Sequence, residues 1–69
     1  MRPSPGDAAE LTTTLVDLLA DASTPQTTMA LSLELRVPYP TVQRELESLE
    51  SLGIVLRAVV GRNTLWRLG

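Results

Sequence analysis

The chain has 69 residues, 43% of them hydrophobic, with a net charge of −2. That length holds one domain with a barely sufficient core, so pairing with a second copy is the most accessible further source of stability. Without cysteine or histidine, disulfides, thiolate or imidazole metal sites and histidine acid–base chemistry are excluded. No apolar run is long enough for a bilayer span or a signal peptide.

The charge is unevenly spread. Residues 7–21 carry Asp7, Glu10, Asp17 and Asp21 and no base, whereas residues 57–67 carry Arg57, Arg62 and Arg67 and no acid. Every basic residue is an arginine, the side chain suited to bidentate contact with phosphate and guanine.

Residues 1–6 contain two prolines and a glycine and read as a disordered lead-in, which leaves residues 7–69 as the domain. From Asp7, the spacing of Ala8, Leu11, Leu15, Leu18, Leu19 and Ala22 predicts an amphipathic helix. Asp7 is its N-cap and Glu10 completes the capping-box spacing. Thr12-Thr13-Thr14 is poor helix sequence lying partly on the solvent face, and Ser23-Thr24-Pro25 ends the element.

A second helix starts near Thr27 or Thr28, with Leu31 and Leu35 toward the core and Leu33 pointing elsewhere. Val37 and Tyr39 each precede a proline and are pushed out of the helical region, so residues 36–39 form a turn. Pro40 suits the first position of a third helix. Val42, Leu46, Leu49 and Leu52 make its buried stripe, and Gly53 terminates it. Residues 54–60 read as a strand, Gly61-Arg62-Asn63 as a turn, and residues 64–68 as the returning strand, with Trp66 inward. The fold class is mainly α within α+β: three helices followed by a two-stranded β-hairpin.

Two helices joined by a tight turn place Thr41, Gln43 and Arg44 on the exposed start of the later helix. Such side chains reach base edges and phosphates: glutamine pairs with adenine, and arginine with guanine or phosphate. Without a side-chain cap, the amides at this helix start are available to a phosphate. Arg62 on the hairpin tip suits a phosphate or a narrow minor groove. Glu47 and Glu50 read as solvating acids, and Tyr39 either packs on the turn or touches backbone.

The run from Leu31 to Val55, with its Leu-x-x-Leu-x-x-Leu-Gly-Ile-Val exit, followed by Val60-Gly-Arg-Asn-Thr-Leu-Trp-Arg-Leu68, resembles the winged helix-turn-helix of ArsR-like and MarR-like bacterial regulators. It also resembles the small winged-helix modules placed ahead of nucleotidyltransferase domains in some bacterial proteins. The resemblance covers residues 27–68. It implies a recognition helix in the major groove of double-stranded DNA and a wing on the adjacent backbone or minor groove. Residue by residue it puts Tyr39, Thr41, Gln43 and Arg44 against DNA, with Arg62 and Asn63 at the wing tip, and the wing arginines Arg57 and Arg67 join this candidate set. Arg36 stands where the family often has glycine, and Pro38 and Tyr39 replace a small hydroxyl cap. The metal-binding clusters of the metal-sensing members are absent, so metal sensing is not implied.

The resulting expectation is a cytoplasmic, nucleoid-associated transcriptional regulator, a homodimeric repressor rather than an activator. It would read an inverted repeat with half-sites about one helical turn apart. Affinity would be modest and strongly salt-dependent. The dimer contact is assigned to helix 1 through Leu11, Leu15, Leu18 and Leu19, and Leu33, Leu56 and Ala58 are further candidates for a protein interface. No catalysis, cofactor, metal, membrane or small-molecule effector is expected. The alternative is a protein-interaction module on the same fold, or the DNA-binding module of a longer protein.

Overall fold

The computed structural model describes residues 8–69; the lead-in and the Asp7 cap lie outside the described residues. The elements are α1 (Ala8–Asp21), β1 (Gln26–Thr27), α2 (Thr28–Leu35), α3 (Tyr39–Ser51), β2 (Val55–Val60) and β3 (Asn63–Leu68). The three strands form one antiparallel sheet in the order β1-β3-β2. Three helices with a small antiparallel sheet make a winged helix, α+β in class.

The threonine run of α1 makes side-chain hydrogen bonds both along the helix and across to α3. Thr14 Oγ1 donates to the Glu10 carbonyl at 2.8 Å, one turn back. The Thr12 hydroxyl donates across to the Glu45 carboxylate of α3. α2 is capped by Thr27, whose hydroxyl accepts from the Ala30 amide at 3.0 Å. It closes at Arg36, a non-glycine residue in the left-handed region at φ 57° and ψ 41°, a conformation that favours glycine. The Val37 amide then reaches back to the Ser32 carbonyl at 3.2 Å.

α3 ends in a complete Schellman motif. Gly53 takes φ 77°, its amide donates to the Glu50 carbonyl at 2.9 Å, and the Ile54 amide donates to the Leu49 carbonyl at 3.0 Å. That exit turns the chain directly into β2. β2 and β3 close on the two residues Gly61-Arg62, since Val60 pairs with Asn63. Gly61 takes φ 63° and Arg62 does not share the positive φ, the pattern of a type II′ turn with glycine first. Asn63 is thus the first residue of β3 rather than part of the turn.

The core consists of Leu11, Leu15, Leu19, Leu31, Val42, Leu46, Leu49, Val55 and Trp66. Trp66, Leu15, Val42, Leu46 and Val55 are all 0% exposed, so one side of α1, the inner stripe of α3 and the inner face of the sheet meet around the indole. This removes Leu11, Leu15 and Leu19 from the surface that helix 1 was expected to offer a second copy. Leu11, Leu15 and Leu19 are core of the single chain, and Leu18 packs against them half-buried; a side chain already covered by its own sheet has no area to offer a second copy. Among the described residues no helix is long and apolar enough to cross a membrane.

Candidate nucleic-acid interface

α3 buries Val42, Leu46 and Leu49, which leaves Pro40, Arg44, Glu47, Ser48 and Ser51 on its exposed side. Arg44 stands on this stripe, and the Arg44–Glu47 pairing that helical spacing permits is not formed. Thr41 is half-buried at its edge. The start of the helix is not a set of free amides: both the Thr41 and Val42 amides donate to the Pro38 carbonyl, at 3.0 and 3.1 Å, and Pro40 has none to give. The expected phosphate site at this terminus is therefore largely closed by its own turn.

Gln43 is half-buried, with its oxygen end turned inward and its nitrogen end on the exposed side of α3. Its Oε1 accepts from the Thr28 hydroxyl at 2.8 Å, and its Nε2 donates to Glu47 at 3.0 Å. The same Thr28 oxygen accepts the Trp66 indole N–H at 2.9 Å. β3, α2 and α3 are thereby joined by one hydrogen-bonded chain.

Arg57 is committed within the protein. Its Nη2 lies 2.9 Å and its Nε 3.2 Å from the two Glu50 carboxylate oxygens, Glu47 is 3.9 Å away, and the guanidinium lies 4.8 Å from the centre of the Trp66 ring. β2 is thus clamped to α3, and this arginine's charge is cancelled locally. Directly opposed residues of an antiparallel pair share a face, so Arg57 and Trp66 lie on the inner side of the sheet. Arg67, one position on, lies on the outer side opposite Leu56, away from α3.

What the fold does bring together is the wing tip and the start of α3. Arg62 and Asn63 line a shallow cleft with Tyr39, Met29, Thr27 and Thr64. Tyr39 is 45% exposed there, so its ring is presented rather than packed away. Among the described residues Arg36, Arg44, Arg62 and Arg67 form no ion pair. The sequence reading missed Thr28 and β1. A buried threonine next to a capping threonine carries no sequence signal for its partner, but a tryptophan on an inward strand position does imply a nearby acceptor.

No protein-family model and no curated protein matches the chain. Among solved structures, human N-acetylserotonin methyltransferase in complex with SAM is similar over 94% of this chain, with a TM-score of 0.79 and 25% identity. Lactococcus lactis ZitR in complex with DNA is similar over 100% of this chain, with a TM-score of 0.67 and 18% identity. The chain spans 18% of the methyltransferase chain and 44% of the ZitR chain. The fold of the chain is the winged helix-turn-helix, shared with one protein solved as an enzyme and one solved on DNA.

Proposed function

We propose that this domain binds double-stranded DNA in a regulatory role, with α3 in the major groove and the wing tip on the neighbouring backbone. The observation that carries the reading is the unpaired Arg44 on the exposed stripe of α3, on a fold whose cleft joins the start of that helix to Arg62 at the hairpin tip. The likeness to ZitR, solved with DNA, supports the same reading. Direct readout falls to Arg44, Thr41 and the exposed nitrogen end of Gln43, while Arg62, Asn63 and Tyr39 hold the sugar-phosphate backbone. Arg57 and Arg67 are left out, one paired to Glu50 and the other on the far face of the sheet. The domain performs no catalysis of its own.

The finer part of the proposal is a homodimeric repressor. With the helix 1 leucines in the core, the surface for a second copy is the outer face of the wing, where Leu56 is 41% and Val60 is 60% exposed and half-buried Leu65 pairs with Ala58. Sedimentation of wild type and Val60→Glu tests this part: a dimer dissociated by the substitution supports it, and a monomer at high concentration rejects it. Repression is tested by a reporter placed behind the selected site, whose output must fall when the protein is expressed.

DNA binding itself is tested by gel shift on genomic fragments at low and moderate salt, with Arg44→Ala and Arg62→Ala. Wild-type shifts weakened by both changes support it, whereas no shift, or one indifferent to both, rejects it. The second reading is a protein-interaction module within a longer chain. It is favoured by the likeness to 18% of a methyltransferase chain and by the net charge of −2. A wild type that binds no duplex but is dimeric through the wing would establish that reading instead.

A further inference from the structure

Gln43 is held at both ends by partners of fixed polarity. The Trp66 indole N–H can only donate, and at 2.9 Å it does so to Thr28 Oγ1, which directs the hydroxyl proton onward to Gln43 Oε1 at 2.8 Å. At the other end an ionised Glu47 carboxylate can only accept, and it lies 3.0 Å from Gln43 Nε2. Thr28 is 4% and Trp66 0% exposed, so the oxygen end of the amide is tied to the buried part of this chain. Turning the amide around would set oxygen against carboxylate and leave the hydroxyl proton unpaired. One N–H of Nε2 remains uncommitted.

Resting on the DNA-binding reading above, we infer that Gln43 reads a base as a hydrogen-bond donor only, with Thr28 as the positioning residue that makes it so. Bidentate recognition of adenine needs the amide's oxygen and nitrogen side by side against the base, and here the oxygen is occupied. A lone N–H fits the two adjacent acceptors of guanine, N7 and O6. Adenine N7 and thymine O4 each offer a lone N–H one acceptor only, and adenine sets a donor beside it, so the base pair favoured opposite Gln43 is G·C rather than the A·T that a free glutamine favours. The difference between Gln43's ends also separates its two partners: loss of Thr28's hydroxyl frees the acceptor, whereas loss of Glu47's charge leaves it tied.

The test is selection from a randomised duplex library with wild type, Thr28→Val, Glu47→Gln and Gln43→Ala. The expected result is a G·C preference of at least about fivefold at one position, abolished by Gln43→Ala. Thr28→Val should shift that position toward A·T, and Glu47→Gln should leave it G·C. An A·T preference in wild type overturns the inference while leaving DNA binding intact. So does a Thr28→Val protein that folds, binds and keeps the G·C preference. Wild type that enriches no duplex overturns both this inference and the reading it rests on. Should Thr28→Val not fold, the wild-type and Gln43→Ala selections still decide. NMR exchange of the Trp66 indole N–H and the Gln43 amide protons in free wild type checks the hydrogen-bonded chain without DNA; rapid exchange at both overturns it.

Discussion

Arginines of one charge and one length take different parts in this domain because of what the fold sets beside each. Arg57 meets Glu50 at 2.9 Å and the face of Trp66; Arg44 meets nothing of opposite charge. Arg44→Ala is thus expected to cost about 1–3 kcal/mol of specific binding and to relax sequence preference at one base pair, read by competition against variant sites. Equal loss on every sequence would instead make Arg44 a backbone contact. Arg62→Ala should weaken all sequences alike and lower the slope of log affinity against log salt by about 1. Sequence alone separated none of these arginines. Spacing shows that Arg44 lies on an exposed helical face, but that Arg57 is cancelled by an acid seven residues earlier depends on the Gly53 exit laying β2 alongside α3. The tie on Gln43's oxygen end was hidden for a similar reason: its partner Thr28 is fifteen residues away, and only the packing of α2 on α3 brings them together.

At the scale of the elements, the helix ends carry much of the specification. Gly53 at φ 77° and Gly61 at φ 63° have open space where a Cβ would stand, so the cost of alanine there is the left-handed backbone itself, about 1–2 kcal/mol. Gly53→Ala is expected to lower the unfolding free energy by that amount, seen as a lower denaturant midpoint with no change in slope. Arg36, left-handed at φ 57°, gives the opposite test: Arg36→Gly should raise stability by up to about 1 kcal/mol, measured by urea unfolding, and a loss would mean that the side chain contributes more than its backbone costs. The Thr27 cap and the glycine turns were legible beforehand, since glycine and hydroxyl side chains act through local geometry, but α3 starts at Tyr39 rather than Pro40 and leaves Leu52 70% exposed instead of in its buried stripe. β1 was not legible, because two residues, Gln26 and Thr27, make no periodic pattern and pair only once β3 returns beside them. Helix 1 shows the limit of periodicity in another way. Its apolar stripe was evident, but a stripe says that something covers it and not what; the covering surface proved to be the chain's own sheet and α3.

For the molecule as a whole, an acidic domain must present locally unbalanced positive charge to hold a polyanion. Among the described residues, Arg36 on the turn, Arg44 on α3 and Arg62 on the wing tip are the unpaired arginines clear of the sheet's outer face. With Arg44 on a base, two phosphate contacts from Arg36 and Arg62 correspond to a salt slope of about −1.8, or a loss of roughly twelvefold in affinity between 50 and 200 mM salt. Glu47 opposes them, because it is exposed on the same side of α3 and only partly offset by Arg57 at 3.9 Å. Removing one like charge a few ångströms from a phosphate across water is worth about 1 kcal/mol, so Glu47→Gln is expected to tighten duplex binding about fivefold at low salt, with the gain shrinking as salt rises. Fluorescence anisotropy with a labelled duplex at two salt concentrations measures both effects together. Tightening that persists undiminished at high salt would show that Glu47 acts through Gln43's orientation instead of through its charge, and unchanged affinity at both would place α3 away from the phosphates.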